Sequence, residues 1–297
     1  GGLGGAVVLQ TPMRQTEGRD IEYTQSIGSY ATYDEYLKIA FGGRGWQTYS
    51  QMLVSTSENN FSYINRDRKE NVYDENKNII SQYYPKERNR NGEFRDLHIL
   101  QQFSMRNSTP FSVDVSCWYT RQNRQRPLLS SSYTKDLRFE NRHREQTWRA
   151  VAKVHYSTAQ MRLEADLGYQ NMWTAYDYKR DPGNGNMVTL VKSRNKESTL
   201  MNKVQLSYVR DDDFSMRMTA ECDVVRVESK DHDVVQADGS VANVGYKKKR
   251  VETSLIGQVM WRPYQRLGLN MILREEIYDK IFQPLLPALM VEHIVAN

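Results

Sequence analysis

Apolar and polar residues alternate along this chain with a period of two. The clearest case is residues 161–171, M-R-L-E-A-D-L-G-Y-Q-N, where Met161, Leu163, Ala165, Leu167 and Tyr169 alternate with Arg162, Glu164, Asp166, Gly168 and Gln170. A β-strand turns successive side chains to opposite faces, so this stretch forms a strand with one apolar and one charged face. The pattern recurs. Leu97, Ile99, Phe103 and Met105 oppose Asp96, His98, Gln102 and Arg106, and Phe111, Val113, Val115, Cys117 and Tyr119 stay in phase. Trp148, Ala150, Ala152, Val154 and Tyr156 oppose Arg149, Lys153 and His155. Phe214, Met216, Met218, Ala220, Cys222 and Val224 oppose Arg217, Glu221 and Asp223.

This periodicity predicts an all-β chain of about twelve strands. They fall over residues 20–29, 33–41, 46–56, 93–106, 111–121, 148–156, 159–171, 200–209, 214–227, 251–261 and 267–275, with a last strand after Pro284 and Pro287. The strands run about nine to twelve residues, long for a globular sheet and suited to a tilted crossing of a bilayer. Short links at 42–45, 107–110, 157–158, 211–213 and 263–266 alternate with long polar segments at 57–91, 122–142, 173–196 and 229–246. In an antiparallel up-and-down meander every second connection lies at the same end, so short turns collect at one end and long loops at the other. That sorting is characteristic of an outer-membrane barrel, and a Greek-key sandwich has no reason to show it.

Face chemistry points the same way. Arg149, Lys153, Arg162, Glu164, Asp166, Arg217, Glu221 and Asp223 all lie opposite apolar faces. In a dry barrel core each unpaired charge costs several kcal/mol, whereas a lipid-facing exterior around a wet, charged lumen satisfies both faces. The expectation is a transmembrane β-barrel meander with these eight side chains lumen-facing. A soluble β-domain binding carbohydrate or protein, with its charges outward, is the competing architecture.

Composition narrows the classes. Hydrophobic residues make up 39% of the 297 residues, and no apolar run is long enough for a spanning helix. This excludes helical membrane proteins without touching barrels, whose apolar residues are interleaved with polar ones. The net charge of +5 arises from 41 basic and 36 acidic residues that are interspersed. The clearest basic cluster, Lys247-Lys248-Lys249-Arg250, is short, so no nucleic-acid partner is expected. Nineteen Tyr and five Trp against eight Phe favour aromatics with a polar tip, as at a membrane interface. Cys117 and Cys222 give neither metal spacing nor a disulfide framework.

Two motifs resemble the TonB-dependent outer-membrane receptors. Residues 1–11, G-G-L-G-G-A-V-V-L-Q-T, look like the Gly-Gly-apolar-Thr close of that family's plug domain; the run lacks the spacing of a phosphate-binding glycine loop. Residues 26–33, S-I-G-S-Y-A-T-Y, look like its first barrel hairpin. The resemblance implies the end of a plug and its linker over residues 1–17, and over 18–297 the N-terminal part of a plugged barrel of about 22 strands. The barrel would be incomplete, the chain a fragment without the TonB-contacting segment and without the terminal aromatic of a finished barrel.

The resemblance also implies a receptor importing a scarce, bulky ligand of siderophore, cobalamin or haem type across the outer membrane. Its partners would be outer-membrane lipid, the imported ligand and, through the missing N-terminal part, the TonB complex. Ligand contacts would come from the long loops, the richest being 57–91 with Asn59, Asn60, Phe61, Tyr63, Asn65, Tyr83 and Tyr84. A passive porin-like barrel is the nearest alternative within the membrane class. The five histidines are scattered, and no nucleophile lies in a triad context, so the chain is expected not to be an enzyme. Asp231-His232-Asp233 reads as a solvated loop tip and Asp211-Asp212-Asp213 as a polar turn. No cofactor or protein metal site is expected, since iron or cobalt would arrive inside the ligand.

Overall fold

The computed structural model describes residues 17–106, 110–127, 138–235 and 240–293. The plug-like motif of residues 1–11 lies outside them, and so does the rest of the expected plug end and linker up to residue 16. The main sheet runs in chain order through β1 (Gly18–Gly28), β2 (Thr32–Gly43), β3 (Trp46–Ser57), β8 (Phe94–Arg106), β9 (Phe111–Gln125), β10 (Phe139–Ser157), β11 (Met161–Arg180), β12 (Val188–Asp211), β13 (Phe214–Val235), β14 (Val241–Tyr264) and β15 (Leu267–Tyr278). The next position is shared by β16 (Ile281–Phe282) and β17 (Leu286–His293), which pair with successive parts of β15. Every pairing is antiparallel. The result is an open meander of twelve staves with β1 at one edge. Two small sheets stand apart from it in the connection between β3 and β8: β4 (Ser62–Ile64) with β7 (Lys86–Arg88), and β5 (Glu70–Tyr73) with β6 (Ile79–Tyr83).

Register carries each strand's alternation across the sheet. Directly paired residues share a face, and the row through Leu167 reads Val115, Ala152, Leu167, Asn202, Cys222 and Thr253. Two residues lower, the row is Val113, Val154, Ala165, Val204, Ala220 and Leu255. The opposite face carries Asp114, Lys153, Asp166, Lys203, Glu221 and Ser254 in one row. A one-residue slip at any pairing would mix the two sets.

The apolar face covers nothing within the chain. Leu163, Leu167, Tyr169, Met218 and Leu255 are all exposed, and among the described residues the buried hydrophobics are only Ala40 and Ala175. Buried side chains are instead mostly polar, among them Ser57, Asp96, Ser104, Thr147 and Thr219 on the charged face. A soluble sandwich buries its apolar faces against each other; this sheet does the reverse. Polar residues that interrupt the apolar face are mostly bonded. Ser50 and Thr48 link through Gln101, and Asn202 donates to the Cys222 carbonyl at 3.3 Å.

Strand length departs from the sequence expectation. The strands β10 to β14 have 19 to 24 residues rather than about nine to twelve. Much of the expected loop sequence at 173–196 and 229–246 continues the ladder instead. A 24-residue strand is ~80 Å long, and at a tilt of ~45° it rises far beyond an apolar band ~25 Å tall. On β10 that band lies between Tyr156 and Trp148, so residues 139–147 stand above it. Beyond that stretch ladder hydrogen bonds persist while the hydrophobic alternation fades.

The taller end also holds tight turns. Tyr30 and Ala31 both have positive φ (61° and 53°), and Thr32 N–H donates to the Ser29 carbonyl at 3.2 Å, the geometry of a type I′ hairpin turn. Asp279 and Lys280 repeat it with φ of 48° and 75°. The lower end has short connections throughout, as expected. There the Asp211 carboxylate accepts from the N–H groups of Asp213 and Phe214, so the Asp211-Asp212-Asp213 turn is built by its own side chain.

Candidate functional site

The eight charged residues singled out from sequence lie on one face of β10 to β13, in rows that set Lys153 beside Asp166, Arg149 beside Gln170, and Arg162 between Ser157 and Ser207. Several of them are bonded. Lys203 Nζ meets Glu221 at 3.0 Å, Arg162 meets Glu164 at 2.5 Å, and Gln205 donates to Glu164 at 3.2 Å. Arg149 Nε donates to Gln170 at 2.8 Å. At the short-turn end of this face, Arg162, Glu164, Gln205, Ser207 and Arg217 line an open depression of about 400 Å³.

A second cluster on the same face, above the band, escaped the sequence reading. Asp96 on β8 is 7% exposed and takes Arg124 of β9 at 2.5 Å, and the carboxylate raises the Arg124 pKa further. His143 of β10 pairs in register with Arg124 and lies 3.8 Å from Glu145. Burial, then the Arg126 charge, outweigh Glu145 and hold the His143 pKa below its ordinary value, so the imidazole is neutral at pH 7. The Arg126 guanidinium stands 5.9 Å from the Tyr176 ring. Only register unites these groups, which span 80 residues of sequence from Asp96 to Tyr176.

The loop candidates divide by what their side chains do. Asn65 is 1% exposed and works inside the loop: its Nδ2 donates to Glu87 at 2.9 Å, its Oδ1 accepts from Asp67 N–H at 3.0 Å, and its N–H donates to the Pro85 carbonyl. Asn59 has a positive φ of 49°, and its carbonyl accepts from Asn89 at 2.7 Å. Phe61 lies between Tyr30 (6.0 Å) and Tyr63 (6.1 Å), tying the loop base to the β1–β2 turn. Asn60 donates to Glu58 at 2.8 Å.

Tyr83 and Tyr84 are exposed beside the β5–β6 hairpin. The Tyr83 hydroxyl donates to Glu70 at 2.6 Å, which raises its pKa, and Tyr84 stacks under Lys69 at 5.7 Å. These two present aromatic surface outward; the other five chiefly hold the loop together. Asp231-His232-Asp233 lies on the upper end of β13, where Asp233 reaches Lys192 at 3.8 Å.

No family model and no curated protein matches the chain. Solved structures do match in fold. The copper transporter OprC aligns with 97% of this chain and 44% of its own at 12% identity and a TM-score of 0.56. The siderophore receptor PiuA from Acinetobacter baumannii aligns over 93% and 46% at 10% identity, TM-score 0.56. The ferric yersiniabactin uptake receptor FyuA from Yersinia pestis aligns over 94% and 44% at 7% identity, again with a TM-score of 0.56. The chain therefore spans less than half the length of each, and what is shared is the fold.

Proposed function

We propose that this chain, which carries the fold of the TonB-dependent outer-membrane receptors, forms part of the barrel of an outer-membrane importer for a bulky, chelate-type ligand such as a ferric siderophore. The observation carrying this reading is the unbroken register that makes one face apolar and exposed while the other is charged, bonded and partly buried. Lipid satisfies the first face, and a hydrated, plug-filled lumen satisfies the second. On this reading Arg149, Lys153, Arg162, Glu164, Asp166, Arg217, Glu221 and Asp223 face the lumen. The long hairpins and the β4–β7 connection stand on the extracellular side.

The ligand class rests on two supports. The exposed aromatic pair Tyr83 and Tyr84 offers stacking, and the cluster of Asp96, Arg124, His143 and Glu145 on the charged face offers charged hydrogen bonding. Among the fold neighbours named above are a siderophore receptor and a ferric yersiniabactin uptake receptor. Passage would depend on the TonB complex acting on a plug, and the protein performs no covalent chemistry on the ligand. The test is uptake of 55Fe-labelled siderophores by cells whose only such receptor is the full-length protein, with and without an energised inner membrane. Energy-dependent uptake that ends when residues 70–83 are replaced by a short Gly-Ser link supports the reading. Uptake of small solutes that ignores the energy source would replace it with a passive barrel.

A further inference from the structure

The sheet steps down between β14 and β15. On one side β14 pairs with β13 as far as Val241↔Val235, but on the other its pairing with β15 begins only at Glu252↔Tyr278. Among the described residues, 241–250 are therefore laddered on one side alone, and all of them are exposed. A side chain closes the step. In the tight turn after β15, Asp279 donates its N–H to the Val251 carbonyl at 2.9 Å, and its Oδ1 accepts the Val251 N–H at 2.7 Å. Backbone groups of alternate strand residues point to the same side. The register against β13 runs without a shift from Val251 to Val244, so Lys249, Lys247 and Gly245 turn their N–H and C=O groups to the open side.

Such an edge, ~34 Å long at ~3.4 Å per residue, is a template for another strand. Its side chains select which one. Lys247 and Lys249 lie on one face and Lys248 and Arg250 on the other, so cations flank the edge on both sides. Lys247 meets Glu228 at 3.2 Å and Arg250 meets Glu252 at 2.5 Å. Lys248 stands 6.0 Å from the Tyr246 ring and, like Lys249, has no carboxylate within ion-pair distance among the described residues. Like charges directly opposite on paired strands repel, so this edge rejects a second copy of itself. An acidic strand gains main-chain bonds from the edge and charge pairs on both faces.

We infer that the free edge of β14 at residues 245–249 accepts an extended acidic segment of a partner protein as an added strand. The inference rests on the barrel reading above, which puts this edge in water outside the cell. The added strand occupies the place that β15 leaves empty above Asp279. It pairs with the backbone of Gly245, Lys247 and Lys249, while its carboxylates meet Lys248 and Lys249. Main-chain bonds then supply affinity and the cations supply the choice of partner.

The experiment uses full-length protein in mild detergent at low salt and a fluorescein-labelled peptide of sequence T-V-E-E-E-V-T. Binding is read by anisotropy and by hydrogen exchange of the β14 amides. The Lys247 and Lys249 amides should exchange fast alone and become protected with peptide, whereas those of Tyr246 and Lys248, which face β13, should be protected throughout. K248Q/K249Q should weaken binding about five- to tenfold. A copy of the peptide N-methylated along its backbone keeps its charge without its donors and should bind at least about tenfold more weakly. Lys249→Pro, which removes an open-side N–H and spares the β13 ladder, should bind more weakly than Lys249→Gln. Equal binding of the methylated and unmethylated peptides would reduce the contact to charge alone and overturn the inference. Protection of the Lys247 and Lys249 amides without peptide, by another part of the chain or by a second copy, would overturn it as well. No binding by protein that shows heat-modifiable barrel migration would overturn the inference and leave the barrel reading standing. Absence of heat-modifiable protein from outer membranes in every form would overturn the barrel reading, and the inference with it.

Discussion

Replacing Leu167 with arginine tests the assignment of faces at a single point. Leu167 is 49% exposed, and its row neighbours are Ala152 and Asn202. On β10 the band runs from Tyr156 up to Trp148, a rise of about 27 Å along the strand or ~20 Å along the membrane normal at ~45° tilt. Leu167 pairs with Ala152, the central position of that span. An arginine on the lipid face at the bilayer midplane costs ~2–4 kcal/mol. Snorkelling lowers the figure, so about 2–3 kcal/mol is expected here, roughly a 30- to 150-fold shift toward the unfolded state. The assay is urea titration of the full-length protein folded into phosphatidylcholine vesicles, followed by tryptophan fluorescence and heat-modifiable migration. Gln205→Arg, on the charged face of the neighbouring strand and beside the Glu164 carboxylate, is the matched control and should change stability by less than about 0.5 kcal/mol. Were the apolar face turned to water, Leu167→Arg would be as mild as its control, and that result would refute the lipid assignment.

Three further outcomes follow from named contacts. Asp177 is 8% exposed above the band and binds Arg144 at 2.5 Å and Arg194 at 2.6 Å; burial alone would raise its pKa, but the two guanidiniums outweigh it and the pKa is lowered. Because the folded-state value is depressed, this contribution is present above the ordinary carboxylate pKa of ~3.9 and is lost as pH falls below it. Asp177→Asn should cost ~1–2 kcal/mol at pH 7, tempered by the solvent exposure of Arg144, and should flatten the acid loss of amide protection in β10 to β12. Ala31→Gly, at a φ of 53°, should stabilise the β1–β2 hairpin by ~1 kcal/mol in the same urea titration. Asn65→Ala leaves Glu87 and the Asp67 N–H short of a partner and should cost ~1–3 kcal/mol of loop stability. It should appear as faster proteolysis between residues 62 and 88 in intact barrels.

Within the band the fold was legible because the two faces of each strand carry opposite chemistry. Met161 to Tyr169 alternates strictly, and most β10 and β12 residues paired with it belong to the face their own sequence indicated, Val151, Met201 and Asn202 being the exceptions. Above the band the same ladder continues through Trp173, Ala175 and Asp177 without that contrast, so the sequence resembles a loop although the backbone remains a strand. Ala175 shows what pattern alone misses: it is 0% exposed, set in one row between Arg144 and Arg194, whose guanidiniums converge on Asp177. Local sequence around Ala175 carries no sign of that burial, because both arginines come from other strands. The site was partly legible for the same reason. A stretch rich in Asn and Tyr announced a structured loop, but which of its residues serve the loop and which face outward depends on the β4–β7 and β5–β6 pairings.

The two faces of the sheet differ in how they settle their charges, and that difference constrains the whole assembly. On the charged face Asp166 Oδ1, His155 Nδ1, Ser254 Oγ and Arg274 Nε are buried without a hydrogen-bond partner. Each such group costs ~1–3 kcal/mol if nothing meets it, and four in rows spread over β10 to β15 are too many for a dry interior. Water or a polar domain inside the barrel resolves all four at once, as the importer reading requires. On the other face the apolar rows carry no such demand, and on the importer reading lipid covers them. On the importer reading, a sheet with this distribution is stable when apolar solvent on one face and a polar, hydrated lumen on the other are both in place.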